Sequence, residues 1–344
     1  MEQEHKRRVR YSGTHPKRFE EKYKELNPEK YKEDVQKIIE QGKTPAGMHI
    51  PIMVQEILEV LDIKPGEIGL DATLGYGGHT SYMLEKLGGV GHIYATDIDA
   101  VEIVKTTERL REKGYNGDIL TTLNINFSQI DKVAPDKKFD FILADLGVSS
   151  MQIDNPMRGF TFKVDAPLDL RLNQTAGKPA YERLLELSEK ELVDLMVINS
   201  DEPYAEQIAK QIMIQKWRGT PIQTTRQLYL AVEKALSFLP KKDQKEYIKK
   251  SCQRVFQALR IDINCEFEVL YQFLEKLPSV LKDGGRVAIL TFHSGEDRLV
   301  KKAFKGYRNM GVFSKINEEV IRPTQEECFK NPRAHSTKLR WAIK

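Results

Sequence analysis

Residues 71–79 read Asp-Ala-Thr-Leu-Gly-Tyr-Gly-Gly-His, and they separate an apolar run from an amphipathic one. Glycines at Gly75, Gly77 and Gly78 let a backbone turn tightly and come close to a ligand. Glu67 to Leu74 predicts a short buried strand, His79 to Leu87 a helix, and His92 to Thr96 a second strand. Asp97 ends that second strand, about 20 residues past the loop, where a carboxylate can accept both hydroxyls of a ribose. A strand–glycine turn–helix–strand unit calls for an open α/β sheet, with ligands beyond the carboxyl ends of its strands.

The rest of the chain continues the pattern. Ile52 to Leu61 is apolar at helical spacing and stops before Pro65-Gly66. Asp99 is placed to cap a helix, with Glu102 at the capping-box position. Phe139–Leu146, Gly285–Phe292 and Lys338–Ile343 predict further strands. Strands alternating with helices imply a parallel, doubly wound sheet. Between Arg171 and Arg260 no strand pattern occurs. Ser188 and Glu191 form a capping box there, and Ala205, Ile208, Ala209, Ile212 and Met213 share one apolar face, as do Leu228, Val232, Ala235 and Leu236. The expectation is a sheet domain over 46–170 and 255–344, an all-helical insertion over 171–254, and a polar extension over 1–45.

Charge placement says more than total charge. The 344-residue chain carries a net +4. Residues 1–18 hold six basic and two acidic side chains, and residues 171–260 hold sixteen basic and eleven acidic, so an acidic body carries two basic segments. Lys6, Arg7, Arg8, Arg10, Lys17 and Arg18 on the arm could touch phosphate, as could Lys241, Lys242, Lys245, Lys249, Lys250 and Arg254 on the insertion; the alternative is solvated helix faces. No stretch approaches the ~18 apolar residues of a membrane span. The N-terminus has no apolar segment typical of a secretory signal. Cys252, Cys265 and Cys328 lie far apart and form no disulfide framework, so a reducing cytoplasm is expected.

The glycine loop fails the dinucleotide fingerprint at Thr80, and the chain has no G-x-x-x-x-G-K-[ST] phosphate loop. A D-x-x-x-G-x-G-G loop with Asp97 suits a nucleoside ligand lacking pyrophosphate, which favours S-adenosylmethionine over NAD. The segment Asp145-Leu146-Gly147-Val148-Ser149-Ser150-Met151-Gln152 follows an apolar strand and faces the same cleft. Polar and aromatic loops follow, with Arg158, Phe160, Phe162, Asp169 and Arg171 as candidate substrate contacts. Phe292-His293-Ser294 ends a later strand at that edge. A triad of Ser149, His293 and Asp145 is conceivable, but no G-x-S-x-G elbow supports it. No histidine or cysteine spacing suggests a metal site.

Eight segments occur in order: HIP at 49–51, DATLGYGGH at 71–79, DLGVSSMQID at 145–154, RGFTF at 158–162, PLDLR at 167–171, FQALRI at 256–261, FHSGEDR at 292–298 and NPRAHSTKLR at 331–340. In these the chain resembles the bacterial 16S ribosomal RNA cytosine-N4 methyltransferases, the RsmH or MraW family, over residues 49–344. The resemblance implies a class I methyltransferase fold with a helical insertion, S-adenosylmethionine as donor, and cytosine 1402 of small-subunit ribosomal RNA, or the subunit itself, as substrate. It implies cofactor contacts at Gly75, Gly77, Gly78, His79, Asp97, Phe127, Asp145 and Gln152. A carboxylate accepting an amine hydrogen bond would activate the cytosine nitrogen, which makes Asp145 the first catalytic candidate, unless it holds only the cofactor, with Ser149, Ser150 and His293 as base-edge partners and Arg254 and Ser294 as further substrate contacts. There are departures. The family usually reads FHSLEDR where this chain has Gly295, HPATR where it has Lys250-Ser251-Cys252-Gln253-Arg254, Gly-Glu-Glu where it has Ser200-Asp201-Glu202, and NPRARS where it has His335. Such changes suit a paralogue with another target base. A DNA or protein methyltransferase and a non-catalytic assembly factor are the competing readings.

Overall fold

A computed structural model describes residues 51–344. The basic arm at 1–45 and the first two residues of the HIP segment lie outside the described residues. The chain enters through helix α1 (Val54–Leu61) and then builds strand β1 (Ile68–Asp71), helix α2 (Gly78–Leu87), strand β2 (His92–Thr96), helix α3 (Ala100–Glu112), strand β3 (Leu120–Leu123) and strand β4 (Phe139–Asp145). A short helix α4 (Ser150–Asp154) follows. Five helices come next: α5 (Ala180–Glu186), α6 (Glu189–Ser200), α7 (Ala205–Trp217), α8 (Thr225–Ala235) and the long α9 (Lys241–Asn264). The chain then returns through α10 (Glu266–Val280), β5 (Leu281–Thr291), α11 (Ser294–Asn309), β6 (Lys315–Ile316), α12 (Gln325–Lys330) and β7 (Lys338–Ile343).

The seven strands form one sheet in the order β3-β2-β1-β4-β5-β7-β6. The first five run parallel, while β7 is antiparallel to both β5 and β6. This order and polarity are those of the class I methyltransferase sheet. The expectation of a parallel sheet therefore holds for β1–β5 and fails at β7, because side-chain alternation reports which face a residue buries and not which way its strand runs. The strand read as Glu67–Leu74 shortens to Ile68–Asp71, since Thr73 and Leu74 already belong to the turn.

Alternation along β4 builds two cores. Phe141 and Leu143 join Ala288 and Leu290 on one face, with Met83, Leu84 and Leu87 of α2. Ile142 and Ala144 join Val287 and Ile289 on the other, with Phe273, Leu274 and Leu277 of α10. The helices between 180 and 264 close a third core, containing Ile208, Ala209, Ile212, Leu228, Val232 and Leu259. The capping box of Ser188 and Glu191 is present at the start of α6. The one expected on α3 is only half made: Asp99 accepts the backbone N–H groups of Val101 and Glu102, while Glu102 pairs with Lys105. Helix α9 runs unbroken past residue 254, where the sequence placed the end of the insertion. Among the described residues no helix is long and apolar enough to cross a membrane.

One glycine shows how tightly β1 and β4 are fitted. A Cβ on Gly69 would lie 2.0 Å from Cε2 of Phe141, whose ring is wholly buried. Gly69→Ala should therefore destabilise the protein by about 1–3 kcal/mol, the usual range for overpacking a core. Combining it with Phe141→Leu should recover part of that loss in a urea denaturation series. Equal stability of Gly69→Ala and the parent would show that the ring can move aside.

Candidate active site

Three aspartates stand at the carboxyl ends of β1, β2 and β4: Asp71, Asp97 and Asp145. Asp71 is buried, and it accepts hydrogen bonds from the Thr73 backbone N–H at 3.0 Å and the Thr80 hydroxyl at 2.6 Å. Thr80, the residue that breaks the dinucleotide fingerprint, thus helps to anchor the loop. Gly77 caps α2 in the left-handed region at φ 74°, and a Cβ there would lie 2.9 Å from Thr106 Cγ2. Asp97 closes over the same loop. Its Oδ2 accepts from the Gly75 N–H at 2.7 Å and its Oδ1 from the Asp99 N–H at 2.8 Å. Each oxygen keeps lone-pair capacity for one further donor. Burial, opposed by those two backbone bonds, raises the Asp97 carboxyl to about 6.

Asp145 is held from behind, its backbone N–H donating to the Thr73 hydroxyl at 2.6 Å. Its Oδ2 lies 3.5 Å from Nδ1 of His79. The opposite nitrogen of that ring, Nε2, is 3.0 Å from the Ile52 carbonyl, which can only accept, so Nε2 carries a proton. The Ile52 carbonyl thereby fixes the ring with Nδ1 turned toward the Asp145 carboxyl. Oδ1 of Asp145 is shut off from solvent and has no hydrogen-bond partner. Burial raises this carboxyl to about 6; His79 opposes the rise, and Asp71 and Glu296 add to it.

Ser149 and Gln152 form the capping box of α4, the Gln152 side chain accepting from the Ser149 N–H at 2.9 Å. The Gln152 amide also donates to Asp99 Oδ2 at 3.2 Å. Phe127 packs edge-on against Phe273 of α10, with ring centroids 5.3 Å apart. Gln152 connects to the glycine loop through Asp99 and then Asp97, and the sequence marked Asp99 only as a helix cap.

Most of the expected substrate contacts point elsewhere. Arg158 is buried against Asp99 at 2.6 Å and also donates to the carbonyls of Arg171 and Leu172. It fastens the loop after α4 to the start of α3. Asp169 and Arg171 satisfy each other at 2.7 and 2.9 Å. Phe162 stacks on Tyr229 and meets Phe256 edge-on, within the helical core. Phe160 packs at the edge of that core, under the Arg158 guanidinium. Arg254 leans toward the buried Glu202 at 3.8 Å. Ser294 is exposed at the start of α11. His293 is nine-tenths buried. Its Nε2 is 3.1 Å from Glu296 Oε1, close enough for an ion pair but not aligned as a hydrogen bond. Its ring lies against Phe267.

Glu266, His293 and Glu296 lie close enough to share an ion. Arg260 already holds Glu266 through two bonds, at 2.8 and 3.0 Å, and supplies the positive charge of that cluster. The strand-end aspartates are different: among the described residues, His79 is the only basic group within ion-pair distance of them. A ligand carrying positive charge, a ribose and a backbone-hugging base would fill each deficit, and S-adenosylmethionine has all three.

The family comparisons agree with that chemistry. A model of the MraW methylase family matches residues 46–344. Ribosomal RNA small subunit methyltransferase H 1 of Agathobacter rectalis is 61% identical over 344 residues, 100% of this chain and 99% of that protein. Ribosomal RNA small subunit methyltransferase H 2 of Alkaliphilus metalliredigens is 57% identical over 344 residues, with the same shares. Ribosomal RNA small subunit methyltransferase H of Gloeothece citriformis is 41% identical over 297 residues, 86% of this chain and 94% of that protein. The numbered relatives thus match the whole chain, the basic extension included. The chain belongs to the MraW methylase family, and it is a methyltransferase that uses S-adenosylmethionine.

Proposed function

We propose that this enzyme methylates the exocyclic N4 of a cytosine in small-subunit ribosomal RNA, at a site of the cytosine 1402 type, in the cytoplasm. The observation that carries the reading is Oδ1 of Asp145, a buried acceptor without a donor at the mouth of the cofactor loop. An aromatic amine is a weak nucleophile because its lone pair is delocalised into the ring. A carboxylate that accepts one of its N–H bonds localises that pair and can take the proton the nitrogen sheds. S-adenosylmethionine, when bound, supplies a methyl group on a cationic sulfur that leaves as a neutral thioether. Asp97 would hold the ribose, and Gly75, Gly77 and Gly78 would let the backbone close on it. His79 keeps Asp145 oriented through Oδ2 and leaves Oδ1 for substrate. Ser149, with its hydroxyl in a helix cap, and His293, turned to Glu296, act in this reading by positioning.

We assign the helices of 171–254 to RNA recognition. Lys241, Lys242, Lys245 and Lys249 are exposed and make no ion pair among the described residues, whereas Lys250 pairs with Glu246.

Asp145→Asn should lower turnover far more than it lowers calorimetric affinity for the donor; equal losses would remove the base role. In the parent, turnover should fall as pH drops through about 6, where Asp145 takes up a proton. Stability should follow the opposite sign. A carboxyl raised above its ordinary 3.8 favours folding at low pH, and that contribution fades as pH rises through about 6. Asp145→Asn should flatten the turnover limb and reduce the stability limb to the part that Asp97 contributes, and an unchanged acid limb in turnover would place the titration elsewhere. Replacing Lys241, Lys242 and Lys245 together by Gln should reduce the slope of log affinity against log salt by about 2 for single-stranded RNA. An unchanged slope would move the phosphate contacts off this helix. Nucleotide mapping of small-subunit RNA from a deletion strain tests the target: loss of one N4-methylcytosine is expected, and an unaltered pattern overturns the reading.

A further inference from the structure

Beyond the cleft, a groove of about 510 Å³ runs between α10 and α11, and nothing above uses it. Phe267, Glu268, Tyr271 and Gln272 form one wall, and Gly295 and Arg298 form the other. Its head adjoins the catalytic edge. Gly295 lies two residues past His293, in the segment that leaves β5, and β5 pairs directly with the strand carrying Asp145.

Gly295 gives the groove its shape. A Cβ at that position would lie 2.6 Å from Cζ of Phe267 and 3.2 Å from Nδ1 of His293. The leucine usual in the family segment that this chain resembles could not stand there with Phe267 in place. Tyr271 lies on the same wall and is 62% exposed. Bare aromatic surface beside a catalytic edge suits the face of a nucleobase, and Gln272 and Glu268 offer both donors and acceptors to its edge.

Charge selects the occupant. Helix α11 holds two acidic residues, and both are turned inward: Glu296 accepts the Phe292 N–H at 2.8 Å, and Asp297 binds Arg340 at 2.6 Å and Lys338 at 3.2 Å. Its exposed charges are all basic. Arg298, Lys301, Lys302 and Lys305 follow a three-, four- and seven-residue spacing and so share one face. Lys301, Lys302 and Lys305 have no acidic partner among the described residues. Arg298 has only Asp201, at 3.8 Å, both side chains being about two-thirds exposed. A basic stripe running away from an aromatic groove matches a strand of phosphates with one base turned in.

We propose that this groove seats an unpaired nucleotide of the RNA substrate next to the methylated base, with its base against Tyr271 and Phe267 and its phosphates along Arg298, Lys301, Lys302 and Lys305. The assignment rests on the reading of the substrate as RNA. It makes Gly295 a specificity-determining position: the groove accepts a flanking base that a leucine would exclude.

The test uses the full chain and a fluorescent RNA hairpin copied from the small-subunit decoding region. Tyr271→Ala should weaken hairpin affinity by about tenfold, as expected for loss of one stacked base. Arg298→Ala should weaken it less and flatten its salt dependence, and Gly295→Leu should weaken it with Phe267 displaced. Calorimetric affinity for S-adenosylmethionine should stay as in the parent for Tyr271→Ala and Arg298→Ala, which shows that the surface variants fold. Hairpins carrying 4-thiouridine beside the target cytosine should crosslink to residues 267–272. If the parent binds the hairpin and all three variants bind it equally, or the crosslink falls elsewhere, the groove assignment is overturned while the RNA reading stands; a groove built for a protein partner would give that result. If the parent binds no RNA, the substrate reading fails and the groove assignment fails with it.

Discussion

Three carboxylates crowd the carboxyl ends of neighbouring strands, and only one imidazole answers them. Asp71 raises the cost of ionising both Asp145 and Asp97, on top of their burial. Every nearby device manages that tension. Thr73 and Thr80 hydrogen-bond the strand ends, the glycine loop turns the Gly75 N–H toward Asp97, and His79 faces Asp145 at 3.5 Å. Uncompensated negative charge of this kind attracts a cationic ligand more than a neutral one.

A second layer supports the first. Asp99 caps α3, receives Arg158 and Gln152, and donates its N–H to Asp97. Through that one residue Asp97, the loop after β4 and the helical region are tied to a common point. The pairing is buried, so removing one partner strands the other's charge. Arg158 is thereby a fixture of the frame on which the cleft is hung.

The sheet, and the meeting of the glycine loop with Asp97 and Asp145 at one edge, were legible because both are written locally. The glycine loop, Asp97 and Asp145 each sit a fixed step past an apolar run, and strand ends place them at one edge. The surroundings were not legible for a physical reason. Arg158 finds Asp99 across 59 positions, and Phe162 finds Tyr229 and Phe256 across still more, so an arginine and an aromatic that read as substrate contacts are consumed by tertiary packing. The end expected for the insertion, residue 254, falls inside a helix that runs on to Asn264. That helix keeps one heptad-like face from Ile248 to Ile261, and nothing in the pattern marks the point where its neighbours change.

That helix has a mechanical consequence. With 24 residues, α9 is a rod of about 36 Å. Its lysine-bearing end faces solvent. Near its other end Arg260 grips Glu266 beside His293, and Asn264 holds the carbonyl of Leu170 and the N–H of Leu172. The two ends cannot approach one another without breaking the helix. Any molecule gripped at both must itself be some tens of ångströms across, which a free nucleoside is not. If the far lysines hold RNA as proposed, the rod sets the least span of a substrate that also reaches the cleft.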